Sequence, residues 1–282
     1  MNKTDFDAIQ SFQLGTENCV PIAAINALNE DGVVCLRRIF SSKWLNVIEA
    51  GIELALNGAS IDVDIVKRKS DAGSFSVSSG AWRQVESFRR FIFDSHIGDI
   101  ALALLETKKL TLFYDFLLIK EALSNNAATP WHQDHSYYPL DGTKLINSWV
   151  ALDDIPIESS LRFMQASHQS GKLYRAVDFE NPETEYRHAR NELPPPPSEQ
   201  SDSSTKILSN ATQAGDMLIW KSHTLHSAPG NQLNRRRAAF SVNWIGDDIV
   251  YNGKPSLETY RHPNQVVGQP IICEKFPVVR CV

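Results

Sequence analysis

The spacing of apolar residues changes part-way along the chain. Trp44, Val47, Ile48, Gly51, Ile52 and Ala55 recur at helical spacing, with Ser41-Ser42 able to cap the start and Gly58 placed to end it. Val85, Phe88, Phe91 and Ile92 mark a second helical stripe. Asp99–Leu105 marks a third, with Asp99 as the expected N-cap. A turn at Asp31-Gly32 leads into a short strand over Val33–Leu36. From Leu112 the pattern becomes that of strands. Leu112–Lys120 is rich in aromatic and branched residues. Leu145–Leu152, Leu161–Gln165, Asp216–Lys221 and Arg237–Ile245 follow, separated by turns such as Asp141-Gly142 and Gly215-Asp216. Helices first and short antiparallel strands afterwards predict an α+β fold. Its core is expected to be a β-sandwich or jelly roll (double-stranded β-helix), flanked by N-terminal helices.

Two stretches do not fit this scheme. Residues 59–83 are polar and rich in Gly and Ser, and read as a loop or weak strand carrying Phe75, Trp82 and Arg83. Residues 191–205 contain Pro194 to Pro197 in a polar context, where missing amide donors rule out a core strand. That segment is expected to be a surface excursion or a lid. In the tail, 246–282, Ile271, Ile272, Phe276, Val278 and Val279 are expected to pack back on the core. No internal repeat is evident, and one domain over 1–282 accounts for the pattern.

Composition narrows the class. The chain has 282 residues, 42% hydrophobic and 22% charged, which suits one soluble domain with a large core. A net charge of −5 argues against nucleic acid or an anionic membrane as partner, since both select basic faces. Lys67-Arg68-Lys69 and Arg235-Arg236-Arg237 are too short to reverse that. Cys19, Cys35, Cys273 and Cys281 form no C-x-x-C pair, so a zinc ribbon or thioredoxin site is unsupported and reduced thiols are the expectation. Met1–Asp7 has no apolar signal core, and no apolar run approaches the ~18 residues of a membrane span. A cytoplasmic enzyme acting on a small molecule is the simplest reading.

Candidate chemistry centres on Trp131-His132-Gln133-Asp134-His135. In an extended strand, His132 and Asp134 point to one face and can reach one metal ion. A second imidazole would complete the two-His, one-carboxylate set that leaves open positions on non-haem iron. His226 is the leading candidate, and strand geometry alone leaves His223 open as well. Arg237 lies in an alternating run, Arg237–Val242, from which a guanidinium can hold a carboxylate by a bidentate pair.

His-x-Asp, a distal His and an Arg eleven residues later resemble the phytanoyl-CoA dioxygenase-like family of Fe(II)/2-oxoglutarate oxygenases. Further runs agree in order: Trp131 to Pro139, Trp149-Val150-Ala151-Leu152-Asp153-Asp154, and Ala166-Ser167-His168. The match extends from about Phe113 to about Gly246. It selects His226 as the distal ligand, with Gly230-Asn231 behind it, and leaves His223, His135 and His168 structural roles. It also implies 2-oxoglutarate as cosubstrate, its far carboxylate on Arg237, with Lys120 contacting it and Trp149 lining its pocket. O2 is consumed, succinate and CO2 are released, and a substrate C–H bond is oxidised, most often hydroxylated. The carboxylate at Asp134 argues against halogenation, because related halogenases have Gly or Ala there.

Three departures stand out. Glu158-Ser159-Ser160-Leu161 replaces the family's E-N-G turn, Ala166 replaces a Gly, and Ala228 stands where a Ser is frequent. The third moves any hydroxyl contact to 2-oxoglutarate onto Ser227, Ser241 or another residue. Asn147 and Ser148 are candidates to line the cavity. Tyr137, Tyr138, Phe75, Trp82, Arg83 and Arg175 are expected around the substrate, and that mix of aromatics and cations suits a small amphiphilic or acidic molecule. Two other classes compete: a metal-free binding protein on the same fold, and a cupin-like metalloenzyme that does not use 2-oxoglutarate.

Overall fold

The computed structural model describes residues 6–56, 68–70, 73–124, 128–179, 186, 192–198 and 205–282. The fold is mixed α/β with a sheet-rich core. Four helices are described: α1 (Ile22–Asp31), α2 (Ser42–Leu56), α3 (Glu86–Asp94) and α4 (Ile97–Leu104). The strands before Trp131-His132-Gln133-Asp134-His135 are β1 (Ser11–Phe12), β2 (Val33–Leu36), β3 (Arg68–Ser70), β4 (Gly73–Ser79) and β5 (Lys109–Lys120). Those that follow are β6 (Thr129–His132), β7 (Leu140–Asp141), β8 (Leu145–Ala151), β9 (Arg162–Met164), β10 (Ile207–Leu208), β11 (Met217–Lys221), β12 (His226–Ala228), β13 (Arg237–Ile245), β14 (Val250–Tyr251) and β15 (Val278–Cys281).

Among the described residues, a nine-stranded sheet runs β1-β2-β11-β8-β13-β5-β4-β3, with β15 also on β5. A four-stranded sheet runs β10-β9-β12-β6. Among the described strands only β1 and β2 pair in parallel, apart from an isolated parallel bridge between Asp7 and Leu208. The central strands of the large sheet are covered on both faces, so their sequences alternate between two cores rather than between core and water. Val34, Leu36, Ile146, Val150, Phe240, Val242 and Trp244 face the helices. Val33, Cys35, Trp149, Ala151 and Ala239 face the small sheet and meet its Phe163 and Leu208. Phe240 stacks on Phe88 of α3 with ring centroids 4.5 Å apart, and truncating so buried an aromatic costs about 3–5 kcal/mol. Gly51 of α2 admits that ring, since an added Cβ would lie 2.5 Å from Phe88 Cε1.

Several expectations are revised. The stretch read as a loop or weak strand contains the β3–β4 hairpin, with β4 extending the sheet beside β5. Asp99 is not the cap of α4. It sits inside the first turn, where its charge suits the helix N-terminus, and pairs with Arg280 at 2.7 Å. α1 was not foreseen, because its apolar positions are small and weakly periodic. Ile271 and Phe276 pack inward as expected, whereas Ile272 is exposed. Gly58, and 191 and 199–204 of the Pro-rich stretch, lie outside the described residues. The four cysteines are unpaired. No helix among the described residues is long and apolar enough to cross a membrane.

Candidate functional site

β6 and β12 pair so that His132 stands directly opposite His226. Cross-strand neighbours lie close enough for their side chains to meet, and here the ring centroids are 4.1 Å apart. The strand ends at His132, so Asp134 is not a strand neighbour as the sequence suggested. Gln133 stays extended (φ −113°, ψ 133°) and Asp134 opens a 3-10 turn over Asp134–Tyr137. The carboxylate still arrives: Asp134 Oδ1 is 3.7 Å from His132 Nε2 and 3.6 Å from His226 Nε2.

The surrounding hydrogen bonds aim these groups. His132 Nδ1 lies 2.8 Å from the Pro130 carbonyl, and His226 Nδ1 2.9 Å from the Thr224 carbonyl. A carbonyl only accepts, so in each neutral ring the proton sits on Nδ1 and the Nε2 lone pair faces the centre. Asp134 Oδ2 accepts the Trp220 indole N–H at 2.8 Å, which leaves Oδ1 for the centre. Burial pushes the Asp134 carboxyl up, but His226, His132 and the Trp220 indole together outweigh it and hold the group below the usual carboxylate value. Burial, reinforced by His132, pushes His226 down to about 4, so it is neutral near pH 7. One ligand atom from each of the three residues falls within 4.8 Å of the others. Two imidazole Nε2 atoms and a carboxylate oxygen converging in this way make a site that fits a divalent cation.

A second charged feature lies beside it. Arg237 on β13 pairs in register with Lys120 on β5, and both are buried. Lys120 Nζ donates to the Pro229 carbonyl at 2.8 Å. Arg237 Nη1 is buried and has no hydrogen-bond partner among the described residues. Burial pushes Arg237 down to about 10, which still leaves it cationic at neutral pH. Its guanidinium lies 5.7 Å from the centre of the Trp149 ring. An orphaned guanidinium nitrogen in a buried pocket fits an anion.

One cavity of about 360 Å³ contains all of these groups: His132, Asp134, His226, Lys120, Arg237 and Trp149 line it. Tyr137 and Tyr138 line it too, as do Asn147, Ser227 and Ser241. Ser148 does not. Phe75 pairs through its backbone with Lys120. Trp82, expected near the substrate, is instead core: it is buried with its ring against Phe93. Arg83 is exposed and Arg175 half-buried, and neither lines the cavity. His223 stacks on His135 at 3.8 Å, away from the metal-facing groups, and His168 bonds to the Asn29 carbonyl at 3.0 Å. The residues at 192–198 do not line the cavity either.

Sequence reasoning missed Phe179, Tyr186, Leu257 and Tyr260, all of which line the cavity. They come from segments without strand or helix periodicity. Tyr114 and Phe116 were missed as well, although the alternation Tyr114, Phe116, Leu118, Lys120 on β5 was there to be read.

Solved structures of other proteins share the fold. The non-haem α-ketoglutarate-dependent carbocyclase SnoK from nogalamycin biosynthesis shares the fold with TM-score 0.75 and 21% identity, over 94% of this chain and 99% of that one. The epimerase SnoN, solved with Fe3+, α-ketoglutarate and nogalamycin RO, gives 0.71 and 20% over 92% and 98%. EctD from S. alaskensis, in its apoform, gives 0.66 and 15% over 95% and 91%. No curated protein matches the chain. The family model for phytanoyl-CoA dioxygenase (PhyH) matches residues 28–239, which include His132, Asp134, His226, Lys120 and Arg237, and the chain belongs to that family.

Proposed function

We propose that this chain is an Fe(II)- and 2-oxoglutarate-dependent oxygenase, one domain on a jelly-roll core, that oxidises a C–H bond of a small metabolite or natural-product intermediate. The observation that carries the reading is the convergence of Asp134 Oδ1 with two imidazole Nε2 atoms in the same cavity as the unpartnered Arg237 Nη1. His132, Asp134 and His226 would hold the iron. Arg237, with Lys120 beside it, would hold a carboxylate of 2-oxoglutarate, and Trp149 would form the wall of that pocket. Iron, 2-oxoglutarate and O2 together supply the oxidising power, with succinate and CO2 as co-products.

The protein's own part is to position and to exclude water. Nδ1–H bonds to backbone carbonyls keep both imidazoles from rotating. The Trp220 indole keeps Asp134 from swinging away. The aromatic lining keeps the reacting carbon dry. Hydroxylation is the default outcome. Ring closure and epimerisation at carbon also require that a C–H bond be broken, and so fall within the same proposal.

The test is an anaerobic titration with Fe(II) and then 2-oxoglutarate, followed by visible absorption. A weak charge-transfer band that needs both additions supports the proposal. Iron binding without the band would favour a cupin-like enzyme that does not use 2-oxoglutarate. Absence of iron binding would favour a metal-free binding protein.

A further inference from the structure

The lining of the cavity is graded from end to end. On β5, Lys120, Leu118, Phe116 and Tyr114 are two residues apart and all face the cavity, as alternate residues of a strand do. Their register partners on β13 are Arg237, Ala239, Ser241 and Asn243. The floor therefore runs from two cations, through aliphatic groups, to aromatic rings. At roughly 3.3 Å per residue, the stretch from Lys120 to Tyr114 spans about 20 Å, so the two ends are chemically separate. A bulge keeps the gradient from continuing: pairing passes from Asn243↔Tyr114 to Trp244↔Leu112, which leaves Phe113 as the extra residue and returns the following side chains to the helical core.

The far end is built of rings and hydroxyls. Tyr114 and Tyr138 share a hydrogen bond of 2.6 Å between their hydroxyls, and Tyr138 donates to Asn243 Oδ1 at 3.4 Å. Tyr260 packs on both, with centroids 5.1 and 5.0 Å away. Phe179 closes over His132 at 4.6 Å. Among the described lining residues the only Lys or Arg side chains are Lys120 and Arg237, both at the other end. An anion buried among the rings would have no counter-charge, which is strongly disfavoured. Besides Asp134, Asp178 is the one carboxylate among the described lining residues, and it already has an interaction partner of its own. The rings meet edge to face, Tyr114 on Tyr138 at 72° and Tyr138 on Tyr260 at 75°, so their faces are spent on each other rather than gathered round a point charge.

We infer that the substrate is an uncharged ring system bearing hydroxyl or carbonyl groups, seated on Phe116 with its polar group toward the Tyr114–Tyr138 hydroxyls. This deepens the proposed function and rests on its assignment of Lys120 and Arg237 to 2-oxoglutarate. It narrows the small amphiphilic or acidic molecule expected from the sequence to an uncharged one, because Arg83 and Arg175 lie outside the cavity.

The experiment is anaerobic calorimetric titration of the Fe(II)- and 2-oxoglutarate-loaded protein with three probes of like shape: 2-naphthol, 2-naphthoate and trimethyl(2-naphthyl)ammonium. The expected result is that 2-naphthol binds at least about tenfold tighter than either charged probe. Phe116→Ala is expected to weaken 2-naphthol by about tenfold and leave 2-oxoglutarate affinity unchanged. Phe116→Leu, which keeps bulk but not the ring, serves if the first variant misfolds. Tighter binding of a charged probe overturns the inference, as does an affinity for 2-naphthol that neither Phe116 variant changes. If no probe binds while 2-oxoglutarate binds through Arg237, the substrate class is wrong and the proposed function stands. If 2-oxoglutarate fails to bind and 2-naphthoate binds, the two cations serve the substrate, and both are overturned.

Discussion

The hydroxyl of Tyr137 donates to the carbonyl of Val177 at 2.8 Å and accepts the amide N–H of the same residue at 3.0 Å. The turn that delivers Asp134 thus also holds the segment ahead of Phe179. Ser136 Oγ donates to the Tyr174 carbonyl at 2.7 Å. Gln133 Oε1 accepts the Tyr174 amide at 3.1 Å, while its Nε2 donates to the carbonyls of Lys172 and His223. The residue between the His and the Asp of the motif therefore ties the segment from Lys172 to Val177 to the metal-facing turn.

Tyr137→Phe removes both bonds to Val177 and leaves its backbone groups without those partners. Each such bond contributes about 0.5–1.5 kcal/mol, so stability should fall by roughly 1–3 kcal/mol in a denaturant titration. The KM for substrate should rise as Phe179 loses its support, and Fe(II) affinity should not change. A variant that loses iron instead would place Tyr137 in the metal's own support.

Trp220 is the only indole bonded to a metal-facing group among the described residues, donating to Asp134 Oδ2 at 2.8 Å. Trp220→Phe keeps most of the buried surface and removes the donor. Groups that orient metal ligands are typically worth about 10–100-fold in metal affinity, and that weakening of Fe(II) is expected here. Far-UV circular dichroism should stay the same. Unchanged iron affinity would mean that Asp134 needs no anchoring.

How much of this was legible depended on how local each signal was. The strand runs over 112–120 and 237–245 could be read because both faces are buried and alternation has nowhere to slip. Arg237 could be read from its alternating run, whereas His226, on a strand of the other sheet, was separated from His223 only by the family resemblance. Trp82 was misplaced because its Gly- and Ser-rich neighbourhood resembles a cavity-edge loop, whereas its partner Phe93 lies on a helix further along. Tyr260 and Phe179 carried no signal, since nothing near them in the sequence says that they return to the cavity. Trp220 looked like one more core residue of β11, and only the fold shows which way its N–H points.

Arg237 offers a sharp comparison because its Nη1 has no partner among the described residues. Arg237→Ala should raise the apparent KM for 2-oxoglutarate by the equivalent of about 2–5 kcal/mol, the usual cost of losing one side of a buried charged contact. Arg237→Lys keeps the charge and loses the fork, so it should recover only part of that. Fe(II) affinity should not change in either. Normal 2-oxoglutarate dependence in Arg237→Ala would remove the residue from the cosubstrate site.

Asp115 lies under the β4–β5 junction with no exposed surface. Its Oδ2 accepts the Trp82 amide at 3.2 Å, and its Oδ1 has no partner. Burial pushes the carboxyl up to about 7, only partly offset by that amide and by Arg83. The folded protein therefore binds this proton more tightly than the unfolded chain, whose Asp titrates near 3.9. Its contribution to stability is complete below about pH 4 and is lost as pH rises toward about 7. Asp115→Asn holds the Trp82 amide with its carbonyl oxygen and has no charge to bury. Its stability relative to the parent should accordingly grow between pH 4.5 and 7.5, by at most roughly 4 kcal/mol, and then level off. Urea titrations at several pH values measure that difference directly, because all other ionisations are common to both proteins. A difference that does not vary with pH would show that the Asp115 carboxyl is already ionised in the folded protein at the acid end of that range.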